Sequence, residues 1–222
     1  MNQIDQGTIH YKNEVIRKLI HFCSLSIPVI YYFITRDAAI VILSVMTFLA
    51  LALDLGRYFF PVIGGFFYSL FGFLLRTHEL DTKKRNLNGA TYVLISALIC
   101  VIIFPKVIFV TAFAILIISD SLAALIGRRF GKHKFLFKSL EGTSAFFISA
   151  IIVILLSPKI EYRVEEYILA IVAAFIGAIV ENISFGYADD NLTIPLSIGF
   201  VMWLFYIIVF PEMQLILTNV PL

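Results

Sequence analysis

Ile118-Ser-Asp-Ser-Leu-Ala-Ala-Leu-Ile-Gly-Arg-Arg-Phe-Gly-Lys-His-Lys-Phe-Leu-Phe-Lys-Ser-Leu-Glu-Gly-Thr143 joins two long apolar runs of a 222-residue chain. This stretch holds five of the seventeen cations, two acids and three glycines. Asp120 sits inside an apolar run, and a basic loop then feeds the start of the next run. In hydrocarbon such a carboxylate costs about 2.5–3.5 kcal/mol by insertion scales. A chain keeps it there when something polar, usually an ion or a phosphate, meets it.

The rest of the chain says which solvent applies. It is 60% hydrophobic and 14% charged, whereas soluble domains are roughly 45–50% apolar and about a quarter charged. Its mean hydropathy of +0.96 reads as a protein dissolved in lipid, not as a soluble domain with a very large core. Cys23 and Cys100 both fall in apolar runs and read as small buried hydrophobes, not as a disulfide or metal site. The cations are too few and too dispersed for a nucleic-acid binder. The first apolar run follows Arg17-Lys18 but lacks a small-x-small cleavage site, so it reads as a retained helix.

Apolar runs fall at about 16–35, 38–56, 58–75, 89–105, 107–127, 143–157, 167–185 and 194–210. A spanning helix needs about 20 residues. The 58–75 run carries Pro61, three glycines and many aromatics, a composition that suits an interfacial or re-entrant piece. Charge supports that reading. If 58–75 does not cross, the inside holds Lys12, Arg17, Lys18, Arg57, Arg76, Lys83, Lys84, Arg85, Arg128, Arg129, Lys132, Lys134 and Lys138. The outside then holds only Arg36, Lys106, Lys159 and Arg163, a split of thirteen to four. If the run crosses, the split becomes seven to ten, against the positive-inside bias. The expected fold is therefore all-α: a polytopic membrane protein of about seven transmembrane helices plus one interfacial or re-entrant segment. It forms a single domain over 1–222, in a cell membrane, with the N-terminus and the site cytoplasmic. No repeat is visible.

Candidate site residues cluster on that inside face. Glu14, Arg17, Lys18 and His21 lie at i, i+3, i+4 and i+7, one stripe of a helix. The stripe serves either as a surface collar or as a polar face toward an anionic ligand. Asp54 and Arg57 read as a local ion pair. Asn88-Gly89-Ala90-Thr91 opens a helix with small residues, letting backbone N–H groups approach a ligand. Asp120, flanked by Ser119 and Ser121 with Ala124 and Gly127 on its face, is a hard-oxygen site suited to magnesium. Gly127-Arg-Arg-Phe-Gly-Lys-His-Lys resembles a phosphate loop in composition but not in Walker spacing. Ser139 to Thr143 lead into a helix whose free N–H groups favour an anion, with Lys138 beside them. Glu181 is a carboxylate near the inner end of a span. Asp189 and Asp190 are adjacent with no cation in their loop, either a solvated turn closed by Pro195 or a pair bridged by a cation. Acids for a divalent metal plus cations for phosphates are what phosphoryl or nucleotidyl transfer requires.

These pieces resemble the family of CTP-dependent lipid kinases (dolichol kinase, phytol kinase and the yeast-type diacylglycerol kinase), which is related to phosphatidate cytidylyltransferase. The matching pieces are Glu14-x-x-Arg-Lys-x-x-His21, the Arg76-to-Gly89 loop and Ser119-Asp-Ser-x-Ala-Ala-x-x-Gly127 with Gly131. Lys138-Ser-x-Glu-Gly-Thr143 and Asp189-Asp-Asn-x-x-Ile-Pro195 complete the set, in order along most of the chain. The resemblance implies transfer of the terminal phosphate of CTP, or of another nucleotide, to the hydroxyl of a membrane lipid alcohol. It implies magnesium on Asp120 and the Asp189-Asp190 pair, to which the residues themselves add Glu181. Asp120, Lys138, Glu141 and His21 are the expected catalytic set. Arg17, Lys18, Arg76, Asn88, Gly127, Arg128, Gly131, Lys132, Ser139, Gly142, Thr143 and Asn191 are expected to bind substrate. The Pro-Gly-His-Gly-Gly element of the cytidylyltransferases is absent, which favours the kinase over an enzyme making a CDP-lipid. A transporter or scramblase is the alternative of another class, but it often shows duplicated halves and none is found here. The oligomeric state stays open, a homodimer included.

Overall fold

A computed structural model of the chain describes residues 10–75, 86–184, 189–218 and 220–222. Its helices are α1 (Tyr11–Cys23), α2 (Ser26–Phe33), α3 (Arg36–Phe59), α4 (Pro61–Phe71) with a 3₁₀ turn at Gly72–Leu74, α5 (Gly89–Ile103) and α6 (Lys106–Phe130). A small hairpin of β1 (Lys134–Phe135) and β2 (Lys138–Ser139) leads into α7 (Leu140–Leu156), α8 (Val164–Ile183) and α9 (Asp190–Val209).

Local chemistry sets the helix ends. Thr35, Asn88 and Ser139 cap α3, α5 and α7, their side chains accepting from Ala38 N, Thr91 N and Gly142 N. Each thereby satisfies an amide that has no partner within the helix. Pro28 lacks an N–H and its ring crowds the carbonyl four residues back. The rod Tyr11–Phe33 is accordingly broken between α1 and α2.

Among the described residues, five stretches are long and apolar enough to cross a membrane: Tyr11–Phe33, α3, α6, α8 and α9. α5, α7 and the α4 segment are shorter apolar helices. The chain is an all-α membrane protein. α6 is its axis, with 78% of its apolar window buried against 17–44% for the other four stretches. α1, α2, α5, α7 and α9 pack against α6, while α3 lies on α5, α4 on α3, and α8 on α7 and α9. Close crossings depend on small residues. Ala170, Ala173, Ala174 and Ala178 of α8 are buried, and a Cβ at Gly177 would stand 2.6 Å from Ile198.

The rods alternate between two ends. At the near end, Asn88 N at the start of α5 donates to Asp54 Oδ2 in the last turns of α3 at 2.7 Å. α4 therefore leaves and returns at one end and does not carry the chain across the bundle. At the far end, Arg36 Nε bonds Val101 O at 3.1 Å, Lys106 Nζ bonds Ile34 O at 2.7 Å, and Tyr206 Oη bonds Glu166 Oε2 at 2.9 Å. Two boundaries differ from the apolar runs. α1 begins at Tyr11, because its polar stripe has α6 to pack on. α9 begins at Asp190, so Pro195 lies buried inside the helix and does not close a turn.

Candidate active site

Three carboxylates from three helices meet at the near end. Asp120 of α6, Glu181 of α8 and Asp190 of α9 each bring one oxygen to within 4.8 Å of the others. Asp189 does not join them: as the N-cap of α9 it accepts from Asn191 N and Nδ2, at 3.0 and 2.8 Å. That cap turns Asp190 into the first helical position, where Ser184 Oγ donates to its Oδ1.

Two lysines face the acids. Lys18 Nζ lies 2.5 Å from Asp120 Oδ2. Lys138 Nζ lies 2.5 Å from Glu181 Oε1 and 3.3 Å from Asp190 Oδ2. Three acids here share two amines. Glu181 Oε2 is buried with no hydrogen-bond partner among the described residues, as is His21 Nε2, which stands 3.8 Å from Asp120 Oδ2. Hard carboxylate donors and an unpartnered carboxylate oxygen suit magnesium. Asp120, Glu181 and Asp190 are the residues that would hold it.

The hairpin delivers Lys138 to this place. Lys134 pairs with Ser139 and Phe135 with Lys138, with Leu136 left-handed at the tip. Asn182, one residue after Glu181, anchors it. Its Oδ1 accepts from Phe137 N at 2.9 Å and Lys138 N at 3.2 Å, and its Nδ2 donates to Thr143 Oγ1 at 2.7 Å. The base of the hairpin is tight: a Cβ at Gly131 would stand 2.3 Å from Gly127 O and 2.8 Å from the Ser139 side chain. Buried Ser139 and Gly142 pack against this glycine pair, so Gly127, Gly131, Ser139, Gly142 and Thr143 build the hairpin seat. Glu141 lies apart from the acid cluster, accepting from Lys132 N at 3.1 Å and sitting 2.7 Å from His133 Nδ1. Lys132 is exposed.

The α1 stripe closes the other side. Glu14 Oε1 pairs with Arg17 at 3.1 Å and its Oε2 with Arg128 at 3.2 Å, tying α1 to the end of α6. Lys18 and His21 then point along α6 toward Asp120. A cavity of about 230 Å³ opens beside them. Its polar floor includes Lys18, His21, Asp120, Asp190, Asn88 and Asn191. Ile20, Phe67, Phe71, Leu74, Leu75 and Val93 form an apolar wall. The Asp54–Arg57 pair, 2.9 Å apart and fully buried, braces that wall. Arg57 also lies over the rings of Tyr58 and Phe67, each 4.7 Å from the centroid, and donates to Asn86 O at 2.8 Å.

Of the residues expected from sequence, Asp120, Glu181, Asp190, Lys138, Lys18 and His21 converge, and Arg17, Asn88 and Asn191 line the adjoining cavity. Arg76 lies outside the described residues. Ser184 and the aromatic wall of α4 were not expected, and Asn182, next to Glu181 in sequence, had no expected role. Only Asn182 carried a local signal, as an amide at the end of an apolar run beside Glu181.

An all-α membrane bundle with a buried acid–lysine cluster at one end is the class that fold and site define. The chain belongs to the same family as an uncharacterized Rickettsia prowazekii protein (RP860), 32% identical over 186 residues, which cover 83% of this chain and 90% of that one. It is also similar to CTP-dependent diacylglycerol kinase 1 of Schizosaccharomyces pombe, 26% identical over 68% of this chain and 73% of that protein. Phytol kinase of a Synechocystis strain is 33% identical over a stretch of 90 residues, 38% of each chain. No family model matches the chain, and no solved structure matches it.

Proposed function

We propose that the protein is a lipid kinase that transfers the γ-phosphate of CTP to the hydroxyl of a membrane lipid alcohol. The observation that carries this is the convergence of Asp120, Glu181 and Asp190 with Lys18 and Lys138 beside a cavity that is polar at one end and apolar at the other. Relatives named as a CTP-dependent diacylglycerol kinase and a phytol kinase support the same reading.

Phosphoryl transfer asks little of a protein beyond position and charge. Asp120, Glu181 and Asp190 would hold magnesium, which would supply positive charge to the phosphate groups. Lys138, fixed by Asn182, neutralises charge building on the bridging oxygen as it leaves. Lys18 does the same from the α1 side, with Arg17 and Arg128 extending the positive rim. The lipid hydroxyl oxygen forms the new bond to the γ-phosphorus, the bond from that phosphorus to the β–γ bridging oxygen breaks, and CDP departs. The hydroxyl proton passes to a group on the cavity floor, where His21, Asp120 and Asp190 are the acceptors at hand.

The chain crosses the membrane seven times in this reading, with α4 held at the near end. At about 1.5 Å per residue, the 11 residues of α4 extend roughly 16 Å, half of a hydrocarbon core of about 30 Å. The near end, with nine of the thirteen cations among the described residues, is cytoplasmic in this reading, where nucleotide and magnesium are found.

The test is a nucleotide-by-lipid panel with purified protein in vesicles of phosphatidylcholine. Label from γ-phosphate appearing in lipid, and not label from α-phosphate, is the expected result. Label from α-phosphate makes the protein a cytidylyltransferase. Solute or lipid flux without any nucleotide, and without labelled lipid, makes it a transporter or scramblase.

A further inference from the structure

The mouth of the cavity is apolar while its floor is charged. Ile20 of α1 and Phe71 of α4 both line it, yet they are 51% and 45% exposed on the outer surface. The opening therefore lies on the outside of the bundle between α1 and α4, continuous with exposed Leu70 and Phe73. A water-soluble nucleotide gains nothing from such an entrance. Lys138 and Glu181 do not line this cavity; Asp120 and Asp190 do. Those two acids thus stand between an apolar chamber on the α1–α4 side and the hairpin that presents Lys138.

We propose that the α1–α4 mouth is the seat of the lipid alcohol's hydrocarbon, entered sideways from the bilayer, with Phe67 and Phe71 of α4 and Ile20 of α1 deciding which chains fit. This rests on the lipid-kinase reading and deepens it. The occupant follows from the shape of the site. The cavity of about 230 Å³ is polar at its floor and apolar at its mouth. The chamber takes the hydroxyl and the first carbons of a lipid, and the remaining chain stays in the bilayer beyond Ile20 and Phe71. The hydroxyl end meets Lys18, His21 and Asp120, while the carbons lie on Phe67, Leu74 and Leu75. α4 is a fixed wall: the Arg57 guanidinium over Phe67, locked to Asp54 and Asn86 O, ties it to the end of α3 and the start of α5.

The experiment uses the whole chain in phosphatidylcholine vesicles with diazirine-bearing diacylglycerol and, separately, a diazirine-bearing prenol, each photolysed and mapped by peptide mass spectrometry. The expected result is that adducts of at least one probe concentrate on residues 16–24 and 61–75. Unlabelled alcohol of the same class competes them away, and added phosphatidylcholine does not. Adducts spread over every lipid-facing helix, or displaced equally by phosphatidylcholine, overturn the proposal. Phe71→Trp and Ile20→Trp narrow the mouth. Each is expected to raise the KM for the lipid alcohol about tenfold with the KM for nucleotide unchanged, in protein whose melting midpoint matches the parent. Unchanged lipid KM in both variants overturns it as well. Mapping needs no turnover, so a protein that captures the probes at the mouth but moves no γ-phosphate overturns the kinase reading alone.

Discussion

At the far end of the bundle three of the four cations donate to backbone carbonyls, and Arg163 pairs with Glu161. Lys159 Nζ donates to Ile154 O and Ser157 O at 2.7 and 3.0 Å, and Arg36 and Lys106 donate to carbonyls at the ends of α5 and α2. The buried acid there, Glu166, accepts from three backbone amides and from Tyr206. At the near end Lys18 and Lys138 face carboxylates from other helices, and Glu181 Oε2 and His21 Nε2 lie buried without a hydrogen bond among the described residues. The far end ties off its helices with hydrogen bonds that leave little for a ligand to gain. The near end holds like charges together across α6, α8 and α9. An acid trio with an unpartnered oxygen is costly by itself and favourable once a divalent cation and a phosphate share the space. Difference in satisfaction, more than difference in charge, separates structural end from working end.

Asp120→Asn should break that contrast most severely. Lipid phosphorylation is expected to fall about a thousandfold or more if this carboxylate helps to hold magnesium. Magnesium is expected to raise the melting midpoint of the parent in detergent and to leave that of the variant unchanged. Persistence of both would mean that the trio holds no metal.

Lys138→Met comes next. It leaves Glu181 and Asp190 facing each other without their shared amine. Removing one partner of a buried pair costs about 3–5 kcal/mol, read as a lower denaturation midpoint. Millimolar magnesium should recover more of that loss in the variant than it adds to the parent. A melting curve indifferent to magnesium would contradict the account.

Tyr206→Phe tests the other end. It deletes one hydrogen bond to buried Glu166 and should cost about 1–3 kcal/mol of stability, with turnover per folded molecule within twofold of the parent. A collapse of turnover would erase the distinction between the ends.

The smallest effect is on pH. Burial holds the Lys159 amine down at about 8, from an ordinary 10.5, with Glu166 pulling it the other way. The folded state gives up this proton first. Between about 8 and 10.5 the unfolded chain binds more protons, so this residue makes stability rise with pH across that window. Lys159→Met should flatten the slope relative to the parent, measured as melting midpoint against pH.

Much of the site was legible because charge in an apolar run is conspicuous. Asp120, Glu181 and His21 are polar where lipid or core is expected, and Lys138-Ser-x-Glu-Gly announces a helix start. The stripe Glu14, Arg17, Lys18, His21 was legible from spacing alone, but its partner was not. Asp120 meets Lys18, which lies 102 positions away, and no local pattern pairs them. Glu141 and Asp189 looked equivalent to the other acids in sequence. Backbone amides claim both, Lys132 N and His133 N for one and Asn191 N for the other. The role of α4 was half legible: its proline, glycines and aromatics mark it as a piece that does not cross, yet nothing in them says that Phe67 and Phe71 wall the chamber.

What the amino-acid order determined unaided is the solvent, the helical rods and the end of the bundle to which most charge goes. Those follow from hydropathy, caps and cation distribution, all of them local or additive properties. The choice of which acids meet belongs to the tertiary structure alone. It depends on how α6, α8 and α9 turn about their axes as they pack, and on a hairpin hung from Asn182. A rotation of a few tens of degrees in any one of them would leave every local preference intact and scatter the trio.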